Sequence, residues 1–386
     1  MEISRRLARS KPLATTALHG RADAMKARGE DVIDFSIAIS HFAAPKEVLQ
    51  AVRQALQTPT LAYTTVGGDA GVRARLADKV VKENHIPVTP ADILVTNGAK
   101  QALYQAMYVL ADPGDKVIVF KPYWPAYVAT CRLLELEPVL LDLPDEFTDE
   151  VLNALPPARI LIINNPHNPT GNVRKAAELE RIAAWMRRTG ACAIVDESYE
   201  KLIFDGSHVS LAARPDWREL GVVTLYSASQ SYAMMGWRAG FAVAPAQVVA
   251  AMETVQGPIT AAAPMLIQLA LAAAFECDAP AAMLEEYRQR RDLVLDLVRD
   301  LPWMRMPSPA SGPYLWADIS VLTSDTVNFS EQLLTNCGVA VMPGEALGVP
   351  GHIRLGYIQD DLATLRRGVN AIAAYGNQLY RALRRA

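Results

Sequence analysis

The stretch YSASQSYAMMGWRAGF, residues 226–241, decides the fold because it joins two apolar runs through a turn that is rich in small residues and contains one arginine. It begins at the end of VVTLYS, residues 222–227, and leads into FAVAP, residues 241–245. Ser227 and Arg238 lie between the two runs. A hydroxyl and a guanidinium both suit a phosphate, the guanidinium by paired charge-assisted hydrogen bonds. The stretch therefore predicts two strands whose connecting turn carries side chains suited to a phosphate.

Upstream of this stretch, short apolar runs alternate with segments of helical period from about residue 90 to residue 245. The strand candidates are ILVTN (93–97), KVIVF (116–120), PVLLDL (138–143), ILIIN (160–164), CAIVD (192–196), VVTLYS (222–227) and FAVAP (241–245). Amphipathic segments between them, such as 100–110 and 176–188, predict helices. The alternation is typical of an α/β fold. We expect a large domain with a mostly parallel seven-stranded sheet flanked by helices.

The chain changes character after Glu285. A long charged segment there predicts a helix, and strand candidates follow at 314–320, 338–344 and 352–358, with a last helix over 362–379. This order predicts a smaller α+β domain. The expected division is an N-terminal arm and part of the small domain over 1–45, a large domain over 46–285 and a small C-terminal domain over 286–386.

Composition narrows the class of protein. The 386 residues carry a formal net charge of −3, so no basic face for nucleic acid is expected. Four cysteines stand far apart in sequence, which predicts reduced thiols and no metal site. The N-terminal basic residues are not followed by an apolar segment, and no apolar stretch is long enough to predict a membrane span. A cytoplasmic globular protein is the expectation.

Two further motifs supply polar side chains after strand candidates. NNPHNPTG at 164–171 contains two Asn-Pro pairs, which predict a non-helical turn. VDESYEKLIFDG at 195–206 places Asp196 at the end of a strand and Tyr199 three residues later. Because ligands bind at the carboxyl ends of strands in open α/β sheets, both motifs predict a pocket edge. By themselves they are also consistent with a rigid turn and a helix N-cap.

The stretch 226–241 resembles the signature of the class I/II aminotransferases, a fold-type-I family that uses pyridoxal 5′-phosphate (PLP). That signature is Ser-x-x-Lys, with Arg eight positions after the Lys and Gly two positions further on. Ser227, Arg238 and Gly240 stand at the matching offsets from position 230, which is glutamine here. Other motifs in family order extend the resemblance from about residue 34 to the C-terminal helix.

The resemblance implies a set of cofactor-binding residues. Those expected at the phosphate are Gly98, Ala99, Lys100, Ser227, Ser229, Arg238 and, from the neighbouring subunit of a homodimer, Tyr63. Those expected at the pyridine ring are Trp124, which stacks on it, Asn168 and Tyr199 at the ring hydroxyl, and Asp196 at the ring nitrogen. Arg354 is expected to bind the α-carboxylate of an amino-acid substrate, beside Trp124 and Asn168. Tyr199, Asp196 and residue 230 are the expected catalytic positions.

Gln230 departs from the family, which carries its cofactor-binding lysine at this position. A carboxamide nitrogen is delocalised into its carbonyl, so it is neither a nucleophile nor a base near neutral pH. Two explanations are open: a Lys→Gln substitution made to stop turnover and trap a substrate aldimine, or a natural chain that abandoned ordinary transamination. Everything needed to hold PLP non-covalently is intact, which favours the substitution. Either way PLP is expected to be held non-covalently or as an external aldimine.

FSIAISHFAAP at 35–45 is a second departure, because the family usually has a Gly-Glu-Pro-Asp-Phe-like run there. Ala38, Ile39 and His41 are therefore candidate substrate contacts in an unusual pocket. His41 is equally open to a structural role.

Two hypotheses follow for the function. The first is a homodimeric PLP-dependent transferase acting at the α-carbon of an amino acid, with transamination as the default reaction and elimination, cyclisation or carbon–carbon bond formation left open. The second is a binding or regulatory protein that keeps the fold without the chemistry.

Overall fold

The computed structural model describes residues 14–57, 60–358 and 361–385. Strands within these ranges are β1 Ile33–Asp34, β2 Ile93–Thr96, β3 Lys116–Lys121, β4 Glu137–Asp142, β5 Ile160–Asn164, β6 Cys192–Asp196, β7 Val222–Ser227, β8 Gly240–Val243, β9 Tyr314–Asp318, β10 Val339–Ala340, β11 Met342–Pro343 and β12 His352–Gly356. The α-helices are α1 Ala14–Ala27, α2 Lys46–Ala55, α3 Ala70–Asn84, α4 Ala99–Leu110, α5 Pro125–Leu133, α6 Asp149–Asn153, α7 Ala176–Thr189, α8 Ala228–Ser231, α9 Ala246–Thr260, α10 Met265–Phe275, α11 Ala279–Val298, α12 Thr326–Cys337 and α13 Leu362–Leu383.

The main sheet has seven strands in the order β2-β8-β7-β6-β5-β3-β4. Strands β3 to β7 pair in parallel, and β8 is antiparallel to both of its neighbours, β2 and β7. The predicted α/β fold with a mostly parallel seven-stranded sheet is confirmed. The turn after β7 returns the chain to the same sheet edge through β8, which brings Ser227 opposite Gly240.

The apolar runs of the sheet form strands that are covered on both faces. In β6, Ile194 belongs to the hydrophobic core on one face, and Val195 to the core on the other. Parallel strands buried on both sides are apolar throughout, which explains why they alternate so little in sequence. Asp196 and Ser227 end two adjacent strands and therefore lie at one edge of the sheet.

A second core forms around the C-terminal elements. Strand β12 pairs antiparallel with β9 and β11, and α11, α12 and α13 cover this three-stranded sheet. The run predicted as one strand at 338–344 is two short strands instead: β10 pairs in parallel with β1, and β11 pairs with β12. Helix α11 begins at Ala279, six residues before the predicted start, because Pro280 suits the first turn of a helix. Residue 285 lies within α11, and the domain boundaries stay a prediction.

No single described helix is both long and apolar enough to cross a bilayer. Helices α10 and α11 satisfy the length and composition criteria only when taken together, and they meet at a bend of 70°.

Candidate active site

A cavity of about 730 Å³ lies where the carboxyl ends of β6 and β7 meet the segment after β1. The sequence-predicted residues that line it are Ala38, Ile39, Ala99, Lys100, Trp124, Asn168, Asp196, Tyr199, Ser227, Ser229, Gln230, Arg238 and Arg354. Residues from the N-terminal arm, the main sheet and the C-terminal sheet thus share one cavity. Its position at the strand ends is where ligands bind in open α/β folds.

Asp196 supplies the buried carboxylate of the cavity. It accepts hydrogen bonds from the Tyr127 hydroxyl at 2.7 Å and from the Ser198 hydroxyl at 2.6 Å and backbone N–H at 3.1 Å. Burial raises the pKa of Asp196, and these hydrogen bonds lower it in part. A cationic ring nitrogen placed against this carboxylate would supply the charge partner that it lacks among these contacts.

Asn168, Tyr199 and Arg354 form a connected polar group. Asn168 donates to the Tyr199 hydroxyl at 3.3 Å and accepts from Arg354 Nη1 at 3.2 Å. The side chain of Asn164 at the end of β5 accepts from the Asn168 backbone N–H at 2.7 Å and so fixes the turn. Burial raises the pKa of Tyr199 well above its ordinary value, so its hydroxyl stays protonated and can donate to a ligand.

Arg354 is buried and oriented by groups far away in sequence. Its Nη2 donates to the Ser36 carbonyl at 2.9 Å, and its guanidinium lies 4.1 Å from the centre of the Tyr314 ring. Its Nε has no hydrogen-bond partner among the described residues. A buried guanidinium with donors to spare is suited to a carboxylate ligand.

The opposite part of the cavity combines backbone donors with positive charge. Helix α4 begins at Ala99 after Gly98, which has a φ of 78°. A Cβ at Gly98 would lie 2.6 Å from Arg238 Nη2, so only glycine lets the guanidinium approach this turn. The Ser227 hydroxyl accepts from the Ser229 N–H at 3.1 Å. Free N–H groups at a helix N-terminus beside a guanidinium are suited to a phosphate.

Lys100 is an amine in the wall of this cavity. Its Nζ lies 5.3 Å from the centre of the Trp124 ring, and burial together with the nearby Arg238 lowers its pKa. From the sequence, Lys100 is expected only as part of the phosphate turn. The structure shows that an amine other than the missing one lines the same cavity.

Gln230 lines the cavity from α8, directly after β7. Its Nε2 donates to the Ala38 carbonyl at 3.2 Å, which joins the two places where the sequence departs from the family. Its Oε1 is buried and has no partner among the described residues.

Three predicted residues do not line the cavity. Gly98 has no side chain and so leaves room for the Arg238 guanidinium. His41 is directed elsewhere and pairs with Glu286 at 3.0 Å. Tyr63 is 96% exposed.

Other residues of the site were not predicted: Tyr127, Ser198, Ser36, Tyr314 and His19. Tyr127 had a usable signal, since it follows Trp124 within the same aromatic motif, KPYWPAY. Ser36 and Tyr314 had none, because they reach Arg354 from parts of the chain that are distant in sequence.

Residues 30–372 match the profile of the aminotransferases of class I and II. The chain belongs to this family. It is 33% identical to an aspartate/prephenate aminotransferase of Thermus thermophilus, over 96% of this chain and 98% of the relative. It is 34% identical to an arginine–pyruvate transaminase of Pseudomonas aeruginosa, over 88% of this chain and 89% of the relative. A solved structure of Thermus thermophilus aspartate aminotransferase with maleate superposes with a TM-score of 0.91, at 33% identity, covering 97% of this chain and 99% of the other.

Membership of the family makes the protein a PLP-dependent aminotransferase by relationship, and the cavity fits that cofactor. Asp196 offers an anion for a pyridinium nitrogen, and Trp124 offers an aromatic face. Arg238, Ser227 and the start of α4 offer donors for a phosphate. The cavity thus offers a negative charge to the ring nitrogen of PLP and a positive charge to its phosphate.

Proposed function

We propose that this chain binds PLP and an α-amino acid in the 730 Å³ cavity and that Gln230 prevents it from carrying out ordinary transamination. The observation that carries the proposal is the presence of Asp196, Arg238 and Arg354 in one cavity with a glutamine where the family has lysine. PLP, when bound, supplies an electron sink for the bonds of the substrate α-carbon.

The cofactor-binding residues have separate tasks in this proposal. Asp196 holds a proton on the ring nitrogen by charge pairing, which strengthens the electron sink. Asn168 and Tyr199 donate to the ring hydroxyl, and Trp124 packs on the ring face. Arg238 binds the phosphate together with Ser227, Ser229, Ala99 and Lys100. The bound phosphate then determines how far the ring enters the cavity.

Arg354 orients the substrate. It binds the α-carboxylate, and the hydrogen bonds to Asn168 and Ser36 hold the guanidinium in one position. Ala38 and Ile39 form the neighbouring wall, so they contact the amino acid. The relatives include enzymes named for aspartate, prephenate and arginine, and the amino-acid side chain accepted here is left open.

Gln230 deprives the site of two chemical capabilities that a lysine has. A carboxamide cannot form an imine with PLP and cannot carry a proton between the substrate and the cofactor. Lys100 lies on the phosphate part of the cavity wall, beside Arg238. This position does not give it the role of the missing lysine. The residues expected to hold PLP are all present, which favours a Lys→Gln replacement.

A second candidate function is ligand binding without chemistry, and Gln230 is the observation that favours it. Such a protein would bind PLP and amino acid and would not exchange the substrate α-proton even when an amine is restored at position 230. Exchange in that experiment would support the enzyme, and the experiment is described in the Discussion.

Arg238→Ala tests the cofactor site. We expect PLP affinity to fall by about 1.5–3 kcal/mol, because one charge-assisted hydrogen bond to the phosphate is lost. The measurement is the dissociation constant by equilibrium dialysis or calorimetry. Arg299→Ala is the matched control, since Arg299 is exposed and pairs with Asp296 at the surface. Unchanged affinity in Arg238→Ala would remove phosphate binding from its role.

Tyr63 tests the composite site of a homodimer. A tyrosine that is 96% exposed in one chain is expected to be covered by a partner, where its hydroxyl reaches the partner's phosphate. Light scattering at micromolar concentration should give a dimer, and Tyr63→Phe should weaken PLP binding by about 0.5–1.5 kcal/mol without dissociating it. A monomer with full PLP affinity would contradict this assembly.

A further inference from the structure

His19 lies in the wall of the cavity although it belongs to the N-terminal helix α1. Its neighbours Leu18 and Ala22 dock this helix on the core that also contains Ala340. In the docked helix, the imidazole Nδ1 lies 2.6 Å from Oδ2 of Asp34, which is buried at the end of β1. A carboxylate only accepts hydrogen bonds, so Nδ1 donates to it.

The second nitrogen of the imidazole has a more exposed contact. Nε2 lies 3.2 Å from Oδ2 of Asp23, whose side chain is 55% exposed. An ion pair at the surface contributes little to holding a side chain in one position. The buried hydrogen bond to Asp34 is therefore the contact that orients the imidazole.

Asp34 connects His19 to Ser36. Its other oxygen, Oδ1, accepts from the Ser36 hydroxyl at 2.5 Å and from the Ser36 backbone N–H at 2.8 Å. Both residues are buried, so water competes little for these hydrogen bonds. A side chain that bonds the N–H and the hydroxyl of the residue two positions further on restrains the turn between them. Asp34 therefore restrains the direction of the Ser36 carbonyl.

The Ser36 carbonyl in turn holds the guanidinium of Arg354. It accepts from Arg354 Nη2 at 2.9 Å. One chain of hydrogen bonds thus runs from the imidazole of His19 through Asp34 and Ser36 to the guanidinium. The residues at its two ends, His19 and Arg354, line the same cavity.

We infer that His19 is a positioning residue for Arg354, acting through Asp34 and Ser36, and that it increases the affinity of the site for the α-carboxylate of the amino acid. The inference rests on the proposed function, because it takes Arg354 as the group that binds this carboxylate. An arginine that is held in its binding position before the ligand arrives loses less freedom on binding. Removal of the His19 donor loosens the guanidinium and leaves the contacts to the ring and the phosphate of the cofactor unchanged.

Two ligands isolate the contribution of the carboxylate: pyridoxamine 5′-phosphate and N-(5′-phosphopyridoxyl)glycine, which has a carboxymethyl group on the same amine. Neither has an aldehyde that could react with a lysine, and glycine has no side chain that the site could reject. Calorimetric titration of the whole native protein should give about tenfold tighter binding of the glycine adduct, as expected for one charge-assisted hydrogen bond to Arg354.

His19→Leu removes the donor and keeps much of the volume of the side chain, so α1 can stay docked. The advantage of the glycine adduct should fall by about threefold or more, as expected for one hydrogen bond, without a change in the affinity for pyridoxamine 5′-phosphate. His19→Asn should restore most of the advantage, because its Nδ2 takes the place of Nδ1 and donates to Asp34.

Lys26→Ala is the matched control, since Lys26 is exposed on the same helix. Far-UV circular dichroism and thermal melting identify the variants that are folded, and His19→Ala repeats the comparison if leucine is not tolerated.

An undiminished advantage in the folded leucine or alanine variant would overturn the inference and leave the proposed function intact. So would an equal loss of affinity for both ligands, or a failure of His19→Asn to restore the advantage. Equal binding of both ligands by the native chain would instead remove the carboxylate role of Arg354, and binding of neither would show that the cavity is not a cofactor site. In these two cases the proposed function would fall with the inference.

Discussion

Gln230→Lys is expected to turn the protein into one that binds PLP covalently and exchanges the α-proton of an amino acid. The reason is that Asp196, Trp124, Arg238 and Arg354 already line the cavity, and the amine is the one identified group missing from the catalytic set. Lysine is one methylene longer than glutamine and enters a cavity of about 730 Å³.

Two measurements, made one after the other, test what the restored amine does. The first is the visible absorbance of an imine between Lys at 230 and PLP, whose band should change with pH. The second is exchange of the substrate α-proton in deuterated water, measured across a panel of amino acids. Positioned acid–base groups contribute on the order of 10²–10⁴-fold to proton transfer, so exchange should rise by at least about a hundredfold over the native chain.

The control for this substitution is Gln230→Met, which changes the side chain without adding an amine. Exchange in the lysine variant alone supports the enzyme hypothesis. An imine without exchange of any amino acid would show that the wall at Ala38 and Ile39 selects another class of substrate or that the protein is a binding module. Absence of an imine would contradict the assignment of position 230.

Asp196→Ala should abolish most PLP binding. The substitution removes the anion opposite the ring nitrogen and leaves the Tyr127 and Ser198 hydroxyls without their acceptor. Loss of one partner from a buried ion pair is unfavourable by about 3–5 kcal/mol, which is at least about a hundredfold in the dissociation constant. The same titration on Asp296→Ala, an exposed carboxylate, provides the control.

The pH dependence of PLP binding gives an independent check on Asp196. Burial raises the pKa of this carboxyl group, and a proton on it competes with the cationic ring nitrogen. PLP affinity should therefore be full above this raised pKa and should fall as the pH drops through it, before ordinary carboxyl groups titrate near pH 4. In Asp196→Asn this decrease should be absent. A decrease of the same size in Asp196→Asn would assign it to another group.

Much of the fold could be predicted because the apolar runs of the main sheet are long and bounded by turn residues. β5, β6 and β7 begin and end where the pattern placed them. The pair β1 and β10 could not be predicted, since strands of two residues have no periodicity and pair across about 300 positions of the chain.

The site, like the fold, has residues that the local sequence indicates and contacts that it does not. Asp196, Arg238 and Asn168 stand in contiguous motifs, so local sequence indicated them. The contact between Gln230 and Ala38 joins residues 192 positions apart, and the orientation of Arg354 depends on Ser36 at a distance of 318 positions. Such contacts depend on how the N-terminal arm and the C-terminal sheet meet the main sheet, which no single motif encodes.

His41 illustrates the limit of a residue-type argument. It was a candidate substrate contact because it stands in the unusual run after β1, and its ring nitrogen is instead 3.0 Å from Glu286 on α11. Ala38 and Ile39 from the same run do line the cavity. Their roles as substrate contacts stay predictions.

Borohydride reduction of the PLP-loaded native protein, followed by peptide mass spectrometry, tests the central claim most directly. Reduction fixes any imine between PLP and a lysine as a stable bond. Because Gln230 cannot form an imine, no PLP-derived mass is expected on any lysine peptide, and denaturation should release the cofactor with its aldehyde reduced to an alcohol. PLP fixed to Lys100, or to any other lysine at one equivalent per chain, would contradict it.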